Sequence, residues 1–281
     1  MPSSFDSDYQ AQSGDGHESD VIRSAANPLV KRIRSLQRRK TRYMERAFVV
    51  EGFRAVEDVL SSGAKPEVIV LREDMDDEAV LAQINEERHS WRRVDARLFE
   101  TLTDQPHAQG IIAVVPMIDQ PVVLIPETGR PMLLLLLDGI RDPGNLGTLF
   151  RSAAGAGVDH VYLTPETVDP YNPRVVRAAM GAHFRIRFSS IALAEISDMV
   201  SSAHTIGRAE ADGVIEYDDA DWTQSSIIVI GGEANGVSDL VRELTPMTVR
   251  IPLTSNVESL NAAVAGSLLV FEAARQRRKV K

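Results

Sequence analysis

The chemically useful residues of this 281-residue chain sit where apolar runs end. The run Met132 to Leu137 breaks at Asp138-Gly139, passes Pro143, Gly144 and Gly147, and continues into a helical stretch expected over 146–156, with Asn145 and Arg151 beside it and in it. A buried strand, a glycine-punctuated loop and a helix start together free backbone N–H groups for an anionic or polar ligand. Glu233 follows Ile230-Gly231-Gly232 at the end of a second apolar run. A third stretch, Ile251 to Asn261, holds Ser259 and Asn261 ahead of a long helix expected over about 259–276. Ser259 is suited to capping that helix. Asn261, read inside the first turn, is worse than Ala there by roughly a few tenths of a kcal/mol, so it calls for a local compensation. Arg151 offers a planar fork of donors that fits phosphate.

Other chemistries find little footing. With no cysteine, disulfides, thiolate metal sites and a cysteine nucleophile are excluded. The six histidines show neither HxH nor HExxH spacing, so no metal site is expected. There is no GxSxG elbow and no Walker loop, and Gly144-Asn145-Leu146-Gly147 departs from GxGxxG. Glu166, near the end of the next strand, keeps a dinucleotide site open as an alternative.

The elements that must position these residues alternate. Strands are expected over 48–51, 67–71, 91–94 and 111–115, with helices over 53–61, 78–87 and 96–102 between them. Pro116, Pro121, Pro126 and Pro131 recur every five residues and mark a linker at 116–131. Beyond it come strands at 132–137, 160–163, 184–188, 205–208, 227–230 and 248–251, and helices at 146–156, 174–180, 193–202 and 259–276. Short apolar strands separated by helices imply an α/β protein with a mostly parallel sheet covered on both faces, preceded by a smaller α/β domain at 21–115. In such sheets ligands bind beyond the carboxyl ends of the strands, where all three stretches fall.

Charge is segregated. The net charge is −9, yet Arg23 to Arg54 holds ten Lys or Arg against Glu45 and Glu51. Asn27-Pro28 starts a helix there whose surface carries Lys31, Arg32, Arg38, Arg39, Lys40 and Arg42, candidates for nucleic-acid phosphate contacts. A second basic cluster closes the chain at Arg275, Arg277, Arg278, Lys279 and Lys281. Residues 1–20 hold five acids and no Lys or Arg, reading as a disordered acidic tail rather than a signal or transit peptide. No apolar run approaches the ~20 residues of a membrane span, so a cytoplasmic protein is expected.

Three motifs in order, DPGNLGTLFRSAAGAG at 142–157, IGGEANGVS at 230–238 and IPLTSNVESLNAAVAG at 251–266, resemble the SpoU branch of the SPOUT RNA 2′-O-ribose methyltransferases. The likeness covers about the last 150 residues; residues 20–115 more loosely resemble the ribosomal-protein-like substrate-binding domain of two-domain members. The resemblance implies a C-terminal trefoil knot, a homodimer with an RNA pocket shared between subunits, and S-adenosylmethionine as cofactor. It places Asn145, Arg151, Glu233, Ser259 and Asn261 at polar active-site positions, and Gly232, Ile251 and Leu260 at cofactor-holding ones. Many relatives have a serine where this chain has Ala179. The implied activity is 2′-O-methylation of structured RNA, ribosomal (23S) ahead of transfer RNA; the alternative from another class is an NAD-dependent dehydrogenase.

Overall fold

The computed structural model describes residues 21–280, apart from 77, 79, 80, 83, 85–88, 106, 107, 119–129, 202, 234, 255 and 256. The acidic tail and most of the proline-spaced linker lie outside the described residues. So does part of the helix expected over 78–87, in which Glu78, Leu81, Ala82 and Ile84 are helical.

The basic segment is two helices, not one. Asn27 caps α1 (Pro28–Ser35) by accepting from the Leu29 amide, with Pro28 in the first turn, where a missing N–H costs nothing. The helix then stops, because Arg38 is extended (φ −95°, ψ 130°), and α2 (Arg39–Glu45) begins. The Arg42 guanidinium reaches back to the Leu36 and Gln37 carbonyls and satisfies the groups left open by the break. There follow β1 (Ala47–Glu51), α3 (Phe53–Ser61), β2 (Val68–Arg72), β3 (Trp91–Val94), α4 (Ala96–Phe99) and β4 (Ile111–Pro116). Their sheet runs β1-β4-β2-β3, with β4 antiparallel to both neighbours and β2 parallel to β3.

The second sheet is built from β5 (Leu133–Asp138), β6 (His160–Leu163), β7 (Phe188–Ser190), β8 (Thr205–Ala209), β9 (Ile215–Glu216), β10 (Ser226–Gly231) and β11 (Thr248–Arg250). Its order is β7-β6-β5-β10-β8-β11-β9, every pair parallel. Between strands lie α5 (Pro143–Ala156), α6 (Pro173–Ala179), α7 (Ile196–Ser201) and α8 (Asp239–Leu244), and α9 (Ala262–Lys279) closes the chain. Strand alternation divides the core. Leu133, Leu135 and Leu137 face α5 and α9, whereas Leu134 and Leu136 face Ile196, Met199 and Val241. The first of these cores continues into the N-terminal sheet, where Phe48 lies 4.8 Å from the Tyr171 ring and 6.2 Å from Phe184.

Several expected elements differ: α4 stops at Phe99 rather than 102, residues 193–195 are a 3-10 turn ahead of α7, and β9 was not expected. Helix α5 starts three residues early, since the Asp142 carboxylate accepts from the Asn145 amide and Pro143 fits the first helical position. The strand expected over 184–188 is a single 3-10 turn, Ala182–Phe184, entered through Gly181 at φ 77°; only Phe188 enters the sheet. Helix α9 begins at Ala262, so Asn261 is its cap and not part of its first turn.

Candidate active site

Three loops meet at the carboxyl rim of the parallel sheet. The first leaves β5 at Asp138 and turns through Gly139 (φ 70°) into α5, placing Asn145 in its first turn. The second leaves β10, where Gly231 and Gly232 must stay glycine. A Cβ at Gly231 would lie 2.4 Å from the Gly236 carbonyl carbon, and one at Gly232 would lie 2.3 Å from the Gly139 oxygen. That close approach joins the loops, with the Gly232 amide donating to the Asp138 oxygen at 2.9 Å. The third loop, 251–261, has no helix or strand among its described residues and delivers Asn261 to the head of α9.

Asn145, Glu233 and Asn261 form one directed hydrogen-bond chain. The Asn145 side-chain amide donates to the Glu233 carboxylate. Its Oδ1 accepts from Asn261 Nδ2 at 3.0 Å. Asn261 Oδ1 in turn accepts the backbone amides of Ala263 and Val264, at 2.9 and 3.3 Å. The free helix-start amides thus fix the flip of Asn261, which fixes that of Asn145, which steers Glu233. This is the compensation that Asn261 called for. An exposed carboxylate held on one side keeps its other acceptor sites for a ligand hydroxyl or cation.

Asp138 is a site residue whose role sequence reasoning missed. It is 3% exposed, and Oδ1 accepts from Thr164 Oγ1 (2.7 Å) while Oδ2 accepts from the Ser238 amide (2.6 Å). Thr164 Oγ1 also receives the Gly139 amide at 3.2 Å. One carboxylate therefore ties together the loops after β5, β6 and β10. Its signal was an acid closing a five-leucine strand, where a charge is retained only if satisfied.

The other expected site residues are placed differently. Arg151 is exposed with no partner among the described residues, and lies six residues beyond Asn145 on α5. At about 100° per residue that puts it roughly 120° around the helix from the Asn145 chain. Ser259 is exposed and does not cap α9, because Asn261 does. Ile251 and Leu260 are half-buried at the two ends of the third loop. Ala179 ends α6, where it and Ala178 lie so near Gly147 of α5 that a Cβ there would have no room. Glu166 pairs with Arg141 at 3.3 Å.

Among the cations, Arg42 is a correction. It is 2% exposed and donates to Asp169 Oδ2 through Nε at 3.2 Å, so it links α2 to the segment after β6 from inside and is absent from the exposed cationic surface. Arg32 is shared between Glu45 and Glu67. Lys31, Arg38, Arg39 and Lys40 are exposed and make no ion pair among the described residues. At the C-terminus, Arg275 pairs with Glu272, and Arg277 donates to the carbonyls of Pro131, Met132, Trp222 and Gln224, leaving Arg278 and Lys279 exposed. Burial holds Arg277 below the usual arginine range. Among the described residues no cluster of three His, Asp or Glu is placed to hold a metal, and no helix is long and apolar enough to cross a membrane.

Comparison with known proteins places this arrangement. The SpoU rRNA Methylase family matches residues 132–271, and the MRM3-like substrate binding domain matches residues 27–113. The chain is 32% identical to the 23S rRNA (guanosine(2553)-2′-O)-methyltransferase RlmP of Bacillus subtilis, over 89% of this chain and 97% of that protein. It is 30% identical to rRNA methyltransferase 3, mitochondrial, of Homo sapiens, over 82% of this chain and 68% of that one. Among solved structures, the AdoMet-bound rRNA methyltransferase from Sinorhizobium meliloti superposes with a TM-score of 0.79 at 29% identity, covering 92% of this chain and 98% of that one. The SpoU methyltransferase AviRb of Streptomyces viridochromogenes, in complex with AdoMet, gives 0.79 at 26% identity, covering 90% and 100%.

Proposed function

This chain belongs to the SpoU rRNA methylase family of RNA methyltransferases, which use S-adenosylmethionine, and from that premise we propose that it methylates a ribose 2′-hydroxyl of ribosomal RNA, in the large-subunit (23S) molecule. Family membership sets the dehydrogenase alternative aside. The observation that carries the proposal is the chain Glu233–Asn145–Asn261, polar groups from three loops converging on the rim where ligands of parallel sheets bind.

The residues fit the cofactor. Backbone outside helix and strand in the 251–261 loop offers amides and carbonyls for the edges of a purine, with Ile251 and Leu260 as half-buried apolar contacts. Gly232 brings the neighbouring loop close with no side chain in the way. When bound, the cofactor supplies a methyl group on a positive sulfonium, open to in-line displacement. The protein's task is then to hold the ribose oxygen at near-attack distance. Asn145 and Glu233 orient the ribose. Arg151 grips the adjacent RNA phosphate; a guanidinium is poorly suited to accept a proton, so it positions the hydroxyl while the phosphate helps to take that proton. Ser259 completes the polar rim.

Because Arg151 points away from Asn145 of its own chain, it serves the site of a second copy, and the working form is a homodimer. Support comes from α9, where Val264, Leu268 and Phe271 are exposed at i, i+4 and i+7, and from Phe271 packing against Gly155 on the side of α5 that bears Arg151. The same reading retains the trefoil knot, a cytoplasmic location, and a division into a substrate-binding domain at 21–115, a linker at 116–131 and a catalytic domain at 132–281. Lys31, Arg38, Arg39 and Lys40, with Arg32 at their edge, supply phosphate contacts.

The test is methyl transfer from labelled S-adenosylmethionine to unmodified ribosomal RNA, with the product mapped after nuclease digestion. Arg151→Ala is expected to lose at least about a hundredfold in turnover, comparable to removal of one transition-state donor, while calorimetry finds cofactor binding unchanged. Near-normal turnover by that variant, or label on a base instead of a ribose, sinks the proposal. Label on transfer RNA alone would shift the substrate to that class.

A further inference from the structure

Helix α2 presents an unusual pairing. Tyr43 is 39% exposed and Met44 71% exposed, consecutive in a helix that opens with the exposed cations Arg39 and Lys40. The Arg39 guanidinium lies 5.4 Å from the centroid of the Tyr43 ring. The ring cannot swing inward to hide, because its hydroxyl donates to Asp169 Oδ1 at 3.0 Å, and Asp169 is itself only 6% exposed and clamped by Arg42. Its edge rests against Tyr171, 6.5 Å away at 78°. The ring is therefore pinned at its buried end and open along its side. Burial and the neighbouring carboxylate push its hydroxyl up to about 12, so it remains a donor to Asp169.

Exposed apolar groups among unpaired cations fit one occupant best. A polyanion satisfies Arg38, Arg39 and Lys40, and a nucleobase is the part of a polyanion that has a flat apolar face. Bases inside a duplex are stacked on one another and unavailable, so the surface selects an unpaired nucleotide. We propose that Arg39, Lys40, Tyr43 and Met44 form a stacking platform for an unpaired base of the RNA, anchored to the catalytic half of the molecule through Asp169. The proposal rests on the RNA reading above and narrows it to RNA whose structure offers an unpaired base within reach of α2.

The experiment measures fluorescence anisotropy of the full chain at low salt with two probes, an oligoadenylate of about 12 nucleotides and an RNA duplex of about the same length. Tyr43→Phe and Tyr43→Leu both lose the bond to Asp169, but only the first keeps an aromatic face. Tyr43→Leu is expected to weaken single-strand binding about tenfold and to leave duplex binding within about twofold, with Tyr43→Phe close to the wild type on both. Unchanged single-strand binding by Tyr43→Leu overturns the platform. So does equal loss by the two variants, which traces the effect to the Asp169 contact, or equal loss on the two probes. If the wild-type protein binds neither probe, the RNA reading itself falls, a result distinct from all of these.

Discussion

At the scale of single residues, the site depends on groups with no freedom to choose another partner. Asp138 is the clearest, since both carboxylate oxygens are committed and both partners come from other loops. Asp138→Asn keeps an acceptor for Thr164 but sets an amide N–H against the Ser238 N–H. We expect a loss of about 1–3 kcal/mol in denaturant melts, the cost of a buried donor left unsatisfied. We also expect the Michaelis constant for the cofactor to rise more than turnover falls, because the displaced loop carries Gly232. A variant as stable as the wild type would show that the three loops hold their register without Asp138. The candidate residues stood out by place: Asn261 at a helix start, where its side chain caps free amides, and Glu233 as an acid directly after a buried strand and two glycines. Arg42 was not legible as a structural residue. Its partner Asp169 lies 127 residues away, and nothing local distinguishes it from the exposed cations around it.

At the scale of elements, packing of small residues sets the geometry of α5. Gly147 faces α6 so closely that an added Cβ would lie 2.4 Å from the Ala178 Cβ and 2.9 Å from the Ala179 amide nitrogen. Gly147→Ala should improve helix propensity by nearly 1 kcal/mol and still destabilise, since overpacking against backbone costs about 1–3 kcal/mol. Thermal melts decide the sign, and a raised melting temperature would mean that α6 yields. Strand positions were largely legible, because runs such as Leu133 to Leu137 are buried on both faces and need no alternation to be seen. The failures were local. Phe184-Arg185-Ile186-Arg187-Phe188 alternates like a strand, but its first residues are spent on a 3-10 turn after Gly181. Pro143-Gly144 reads as loop unless Asp142 is recognised as the cap.

At the scale of the whole molecule, the two sheets are joined by a junction that is largely aromatic and contains a buried histidine. His183 lies 5.1 Å from the Phe150 ring and 5.6 Å from Phe188, donates from Nε2 to the Pro170 carbonyl, and leaves Nδ1 without a partner. Burial pushes it down to about 4, and His160 likewise, helped there by Arg187. Both values fall below the unfolded 6.5, so the unfolded chain binds more protons between these limits. The stability they contribute is complete above about pH 6.5 and is lost as pH falls toward 4. Melts in that window should show a steady decline, and His183→Gln should make it shallower while the share from His160 remains; a wild-type profile level from pH 7 to 4 would contradict this.

The position of α9 bears on how the protein comes into being. Gly266 seats against Leu149 of α5 and Ile230 of β10, and Arg277 grips the Met132 carbonyl where β5 begins. A helix translated more than a hundred residues after β5 and α5 therefore covers that first strand and helix of the catalytic half. A nascent chain that has not yet released Gly266 from the ribosome carries an open apolar seam along Leu149 and Ile230. The site loops at Asn145 and Glu233 come into register only afterwards, when Asn261 arrives to complete their hydrogen bonds. Closure of the three loops thus waits for α9, and a chain cut before Asn261 lacks the group that completes their hydrogen bonds.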